Sequence, residues 1–333
     1  MRLPTCLRLV RPWLPVAVVV GLLYLLISAA HPRALAASAR TFHWLLLLPL
    51  AGSYILFVIF RAVRWHLLLR STGAPNSVWD SVLLFWAAQA AVLVPAGQLL
   101  LPVLQKRRHG TLIRRSAATV LVQELLFGLL ILPAALPAIQ HYPLAGWLLL
   151  AAFGISAGAV TLVLNDGLAN AGIFCANLVP ALRGHVRSFR DLRHHIVRLV
   201  TTPEALLGSL LDLAAIAAGG TGLFIVLAGL GLAHTGWIVA IASYALGTAA
   251  ATLSALPGGL GANEDIGTAV LSHMGVAAGP AAAGMLIFRA VTLIGGTLVG
   301  LAVLLLLKRH LRGGLSFSLG GLRAEAAAAE FAA

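Results

Sequence analysis

Leu256-Pro257-Gly258-Gly259-Leu260-Gly261-Ala262-Asn263-Glu264-Asp265 interrupts an otherwise apolar run from Trp237 to Met274. A proline and three glycines cannot carry a helix through this point: proline lacks the N–H, and glycine favours conformations closed to other residues. Asn263 is a natural N-cap, and Glu264 and Asp265 suit the first turn of a returning helix. An apolar segment broken at its middle predicts a hairpin that enters and leaves the membrane on one face. Non-helical backbone at that depth is tolerated only where it is buried in protein or lines a wet cavity.

Composition supports a membrane setting. Of 333 residues, 60% are hydrophobic and 10% charged, against about 25% charged in soluble chains, and the mean hydropathy is +0.97. This excludes a soluble enzyme, a nucleic-acid-binding domain and a disulfide scaffold as the main reading. Cys6 and Cys175 supply neither a disulfide framework nor a metal site. The scattered histidines lack H-E-x-x-H spacing, so neither metal nor cofactor is expected. The net charge of +13 falls in short clusters between apolar runs, the pattern by which positive-inside loops set topology and attract anionic headgroups.

Long apolar runs extend roughly over 13–30, 43–60, 117–138, 144–164, 205–232 and 278–307. The first reads as a retained helix with a cytoplasmic N-terminus; Ala34-Leu35-Ala36 leaves a cleaved signal peptide as the alternative. Basic clusters at 61–70, 106–115, 183–198 and 308–312 fit one cytoplasmic side only if two segments turn back within the membrane. These are Trp79 to Leu104, broken at Pro95-Ala96-Gly97-Gln98, and Trp237 to Met274. The expected fold is an all-α polytopic membrane protein with about six full transmembrane helices plus two re-entrant helical hairpins, one entering from each face. The expected divisions are 1–42 (first helix and outer loop), 43–307 (transmembrane domain) and a flexible cytoplasmic tail at 308–333. Both termini are expected in the cytoplasm of a bacterial-type inner membrane.

The halves 79–138 and 237–307 resemble each other. Gly110 precedes Glu124 by 14 residues, and Gly275 precedes Arg289 by 14. Matched spacing and opposite entry faces predict an inverted repeat, an arrangement that in transporters puts the substrate site near the midplane on broken helices.

Several of these pieces resemble a known family: Arg61-x-x-Arg64-Trp65-x-x-Leu68-Leu69, Val94-Pro95-Ala96-Gly97-Gln98 with Gly110, and Gln123-Glu124. To these add Leu256-Pro257-Gly258-Gly259-Leu260-Gly261-x-x-Glu264, Gly275 and Phe288-Arg289. Over roughly residues 40–307 the chain is similar to the flippase-like transmembrane domain of lysylphosphatidylglycerol synthases. That domain also stands alone in proteins linked to hopanoid and glycolipid pathways. The resemblance implies handling of lipid; with only a short tail after Leu307, the synthases' aminoacyl transfer is not expected. Gln98 stands where the family usually has glutamate, so an amide replaces a charge in the first break.

The candidate headgroup path comprises Gln98, Glu124, Asn263, Glu264 and Arg289. Charges inside a membrane are costly and face the protein interior, so Glu124 and Arg289 are expected either to pair or to serve a headgroup and a coupling proton. Pro95, Gly97, Pro257, Gly258, Gly259 and Gly261 form the backbone of the turns. Asp212 and Asp265 are candidate proton relays. Arg61, Arg64 and Trp65 read as an interface anchor closing the second span. Arg187, Arg190 and Arg193 lie in the basic stretch 165–204, where Val186–Val200 has the pattern of an interfacial helix on an anionic leaflet. Gly296-x-x-x-Gly300 predicts close helix packing.

The expected function is movement of an amphiphile between leaflets: an anionic or glycosylated lipid, or a hopanoid-type lipid. Two alternatives are a scaffold holding a lipid-modifying enzyme through the basic loop, and a proton-coupled carrier of a small solute. Membrane lipids, and in the scaffold reading that enzyme, are the expected partners; nucleic acid is not, and the oligomeric state is not legible. Catalysis is not expected, because no nucleophile or metal-ligand spacing accompanies the carboxylates.

Overall fold

A computed structural model describes residues 37, 40–74, 76–93, 97–178, 186–200, 202–254 and 256–310. Pro95, the expected first span at 13–30, both termini and the tail beyond residue 310 lie outside them. Among the described residues every regular element is helical, as the apolar runs require in lipid, where each backbone group must be satisfied within its own segment.

The helices are α1 (Leu47–Ser71), α2 (Val78–Ala88), α3 (Leu100–His109), α4 (Ile113–Ala135), α5 (Ala145–Leu164) and α6 (Asp166–Leu178). They continue as α7 (Val186–Val200), α8 (Pro203–Gly229), α9 (Trp237–Ser254), α10 (Ala262–His273), α11 (Ala278–Arg289) and α12 (Gly296–Leu307). A π-helical turn, Ala290–Gly295, joins α11 to α12. Local signals set the boundaries. Ser77 caps α2 by accepting from Asp80 N–H at 3.0 Å, Thr202 caps α8 with Pro203 in its first turn, and Gly110 ends α3 at φ 72°.

Six described stretches are long and apolar enough to cross a membrane: Trp44–Ser71, Ile113–Gln140, Ala145–Leu162, Pro203–Gly229, Trp237–Ser254 and Ala278–Leu307. The chain is therefore a multi-pass membrane protein. Its outward surfaces are apolar, as with Trp147, Leu150 and Phe153 on α5 and Leu206, Leu207 and Leu210 on α8.

The two broken segments differ in build. The first joins two short helices, α2 and α3, of 11 and 10 residues, each about half of the ~20 that a crossing needs. The second joins α9, long enough to cross by itself, to the 12-residue α10. The first limb of the second segment is thus long enough to cross by itself, because its apolar run continues to Ser254 before the break.

Helix α8 is central, and its glycines let its neighbours approach closely. Gly222 faces Ser53, Leu50 and Phe288, Gly229 faces Phe42, and Gly219 and Gly220 face Tyr244 and Ile241 of α9. The carbonyl of Ala218 on α8 accepts from Ser53 Oγ at 2.5 Å. At the far side α12 seats on α2: a Cβ added to Gly300 would lie 2.5 Å from Ala90 N and 2.7 Å from the Trp86 carbonyl oxygen. Helix α7 departs from expectation. Its apolar residues Ile196 and Leu199 are buried with Leu68, Ala118, Val122 and Ala205, so that face covers the bundle instead of lying in a leaflet. Arg193 bonds Asp166 at 2.6 Å and Arg190 is exposed; the side chain of Arg187 lies outside the described residues.

Candidate functional site

Arg61 and Arg64 sit three residues apart on α1, hence on one face. The helix does not end there; Leu67, Leu68 and Leu69 carry it on to Ser71. The two arginines are accordingly interior, 6% and 0% exposed, and Trp65 is fully buried with its indole N–H donating to Thr119 Oγ1 at 3.0 Å. This corrects the interface-anchor reading: the helix that the arginines were expected to close continues for another two turns.

Buried guanidiniums need acids, and two helices supply them. Asp212 of α8, 0% exposed, pairs with Arg64 and lies 3.4 Å from Arg61 Nη1. Glu124 of α4 pairs with Arg61 Nη2 from the other side and is 35% exposed. Arg61 also rests over the Phe127 ring, 4.3 Å from its centroid, and its carbonyl oxygen accepts from Gln123 Nε2 at 3.2 Å. Gly208 gives Arg64 room, since a methyl group there would come within 3.1 Å of Arg64 Cγ. Two cations and two anions leave this network formally neutral, the condition under which charge is tolerated at such depth. Asp212, a candidate relay, is fully engaged in it.

Beside Arg61 and Glu124 opens a cavity of about 410 Å³. Its polar lining is Arg61, Glu124, Gln89, Gln98, Gln123, Ser156, Tyr244, Thr248 and Thr252. Phe57, Phe85, Phe127, Leu132 and other apolar side chains complete the walls. A cation, a carboxylate, amides and hydroxyls on an apolar wall can hold a polar headgroup while an apolar tail lies against hydrocarbon.

The other expected path residues form a separate cluster. Arg289 Nε donates to Glu264 Oε1 at 2.8 Å, and its Nη2 donates to the Gly258 carbonyl oxygen. Glu264 Oε2 accepts from Gly261 N–H at 2.8 Å, so a glycine at φ 84° takes the N-cap position in place of Asn263. Asn263 is buried against Gly247 of α9, where an added Cβ would lie 3.0 Å from its Oδ1. Asp265 is exposed. None of Asn263, Glu264, Asp265 and Arg289 lines the cavity. Glu124 and Arg289 therefore do not pair with each other; each has a partner from its own neighbourhood.

Glycine geometry fits the turns. Gly258 and Gly259 hold φ of 60° and 66°, left-handed values that disfavour side chains. A methyl group on Gly258 would lie 3.0 Å from Leu293 Cδ1 and 3.5 Å from Leu93 Cδ2, so Leu93, just before the first break, lies beside this glycine. Gly97 passes so close to the Ala91 carbonyl that a Cβ there would collide with it. Pro257 starts the turn Pro257–Gly259. Among the described residues no three His, Cys, Asp or Glu side chains gather as a metal site requires.

Fold and site define a multi-pass helical membrane protein with a polar-lined cavity beside a buried ion network. The family model for the lysylphosphatidylglycerol synthase TM region matches residues 13–300, and the chain belongs to that family. No curated protein and no solved structure matches it.

Proposed function

We propose that this protein moves an amphiphile between leaflets of a bacterial-type inner membrane, the substrate being an anionic or glycosylated lipid or a hopanoid-type lipid. One observation carries the reading: the cavity of about 410 Å³ combines an arginine and several amides with aromatic and aliphatic walls inside a membrane bundle. Membership of a family named for a lipid-modifying synthase supports it. Arg61, anchored from behind by Asp212, is the headgroup cation in this reading. Gln98 and Gln123 supply amides, and Arg289 and Glu264 keep the second turn in shape. The short helices α2, α3 and α10 act as re-entrant limbs of an inverted repeat, with the basic ends of α3, α7 and α12 on the cytoplasmic side by the positive-inside rule. We read the protein as a carrier and not an enzyme.

The test is leaflet exchange of tail-labelled anionic, glycosylated and hopanoid lipids in liposomes holding the purified protein. Ser156→Trp and Thr252→Trp fill the cavity without touching the ion network. Exchange by the wild type that falls to the empty-liposome rate in both variants is expected. Absence of exchange for every lipid by folded wild-type protein, or undiminished exchange in the folded tryptophan variants, overturns the reading.

A further inference from the structure

The four charges of the ion network are not held alike. Asp212 is wholly enclosed and bound to both arginines. Glu124 is 35% exposed, lines the cavity and holds Arg61 alone. Arg61 thus has one permanent acid behind it and one removable acid in front, on the side where a headgroup arrives.

Charge balance then constrains what can enter. With Arg61, Arg64, Asp212 and Glu124 ionised the network sums to zero. An anionic headgroup at Arg61 adds one negative charge in a site inside the membrane bundle whose other polar lining is uncharged amides and hydroxyls, where an uncompensated charge is strongly disfavoured. The economical way to restore neutrality is for Glu124 to take up a proton, release Arg61 and let the headgroup replace it. The groups facing Glu124 admit this. Arg61 and, behind it, Arg64 come from α1 and Asp212 from α8, while among the described residues Tyr244 of α9 is the only other titratable side chain lining the cavity. Ser156 from α5 and Gln98 from the first break contribute no charge.

We propose that Glu124 makes the protein a proton-coupled carrier, in which one proton accompanies each monoanionic lipid across the membrane. The proton binds the Glu124 carboxylate from the aqueous side where the headgroup enters. When the headgroup departs on the opposite side, Glu124 releases that proton there and re-forms its pair with Arg61. The network ends the cycle as it began, and the transfer is electroneutral. This inference rests on the lipid-moving function proposed above.

The test uses full-length protein in phosphatidylcholine liposomes containing a trace of tail-labelled phosphatidylglycerol, a monoanionic probe, with its leaflet ratio read at steady state. For the wild type, a gradient of one pH unit should enrich the probe about tenfold in one leaflet, and a 100 mV potential should leave the ratio unchanged. In Glu124→Gln the side chain no longer titrates and Arg61 stays open to the anion. That variant should still move the probe, ignore the pH gradient and follow the potential, about 50-fold at 100 mV for an uncompensated charge. Glu124→Asp, which keeps the carboxylate, should behave as the wild type. A wild-type ratio that ignores pH, or pH-driven enrichment that persists in Glu124→Gln, overturns the coupling while leaving lipid movement intact. A Glu124→Gln variant that melts like the wild type but moves nothing also overturns it. No probe movement by the wild type removes the underlying function instead.

Discussion

Asp212→Asn tests whether the buried ion network holds the bundle together. Asp212 is the acid of Arg64, which is 0% exposed, and it also lies 3.4 Å from Arg61 Nη1. The amide is nearly the same size, so packing is preserved and only charge is lost. Two buried guanidiniums then share the single carboxylate of Glu124, which reaches Arg61 only. Removing one partner of a buried pair costs about 3–5 kcal/mol. At roughly 2–4 °C per kcal/mol for a chain of this order of size, the Tm should fall by roughly 6–20 °C. The assay is thermal melting of the purified protein in detergent, followed by tryptophan fluorescence. A second substitution makes the cause specific: Arg64→Met in the same chain removes the orphaned cation and leaves Arg61 with Glu124. Replacing a buried pair by apolar groups of similar volume is often neutral, so the double variant should recover most of the lost stability. A Tm for Asp212→Asn within about 2 °C of the wild type, less than even 1 kcal/mol predicts, refutes the reasoning. So does a double variant no more stable than the single.

Two further predictions concern packing and pH. Alanine is the better helix former, by roughly 1 kcal/mol, yet Gly300→Ala should destabilise by about 1–3 kcal/mol. Its Cβ would press on the backbone of α2 and the turn after it, 2.5 Å from Ala90 N, and a Tm above that of the wild type would contradict this. His109, at the end of α3 and outside the six long spans, titrates below its usual 6.5; burial is the main cause, with Asp80 opposing it and Arg108 adding to it. The folded protein therefore binds this proton more weakly than the unfolded chain does, so its contribution is full above 6.5 and declines as pH falls below it. Melting between pH 5 and 7.5 should show less loss of Tm on acidification in His109→Asn than in the wild type.

The helical class was legible because long apolar runs admit few alternatives in lipid, and the second break because Pro257, Gly258, Gly259 and Gly261 permit conformations that a helix cannot absorb. The buried arginines were harder to see. An amphipathic helix shows which face is inside by contrast, but α1 is apolar nearly all round, so no polar stripe marks the protein-facing side. Two signals were nonetheless present: Arg61 and Arg64 stand at i and i+3, and three leucines follow them. The acid partners were not legible. Equal spacing singled out Glu124 and Arg289 as matching positions and invited pairing them across the halves. Equal spacing does not make two positions neighbours, and each charge is neutralised by a closer partner, Glu124 by Arg61 of α1 and Arg289 by Glu264 of α10.

The two charge clusters are bonded in different ways. Both oxygens of Glu264 are occupied, one by Arg289 and one by the Gly261 N–H, and Arg289 spends its remaining reach on the Gly258 carbonyl. Two of those bonds tie a side chain to the backbone of the glycine turn or its cap and the third joins those two side chains, so breaking any one loosens a backbone that has left-handed residues and no regular ladder to fall back on. Such a cluster resists exchange with a ligand. In the Arg61 cluster the ion pairs run only between side chains, on three separate helices, and the backbone beneath is ordinary α-helix that stands without them. Glu124 can therefore leave Arg61 with little consequence for α4. It also faces the only one of the two clusters' surroundings that opens into the cavity. In the function proposed above, a site that accepts and releases a charged headgroup requires fixed scaffolding next to one replaceable bond, and the Arg61–Glu124 pair is the candidate for that bond.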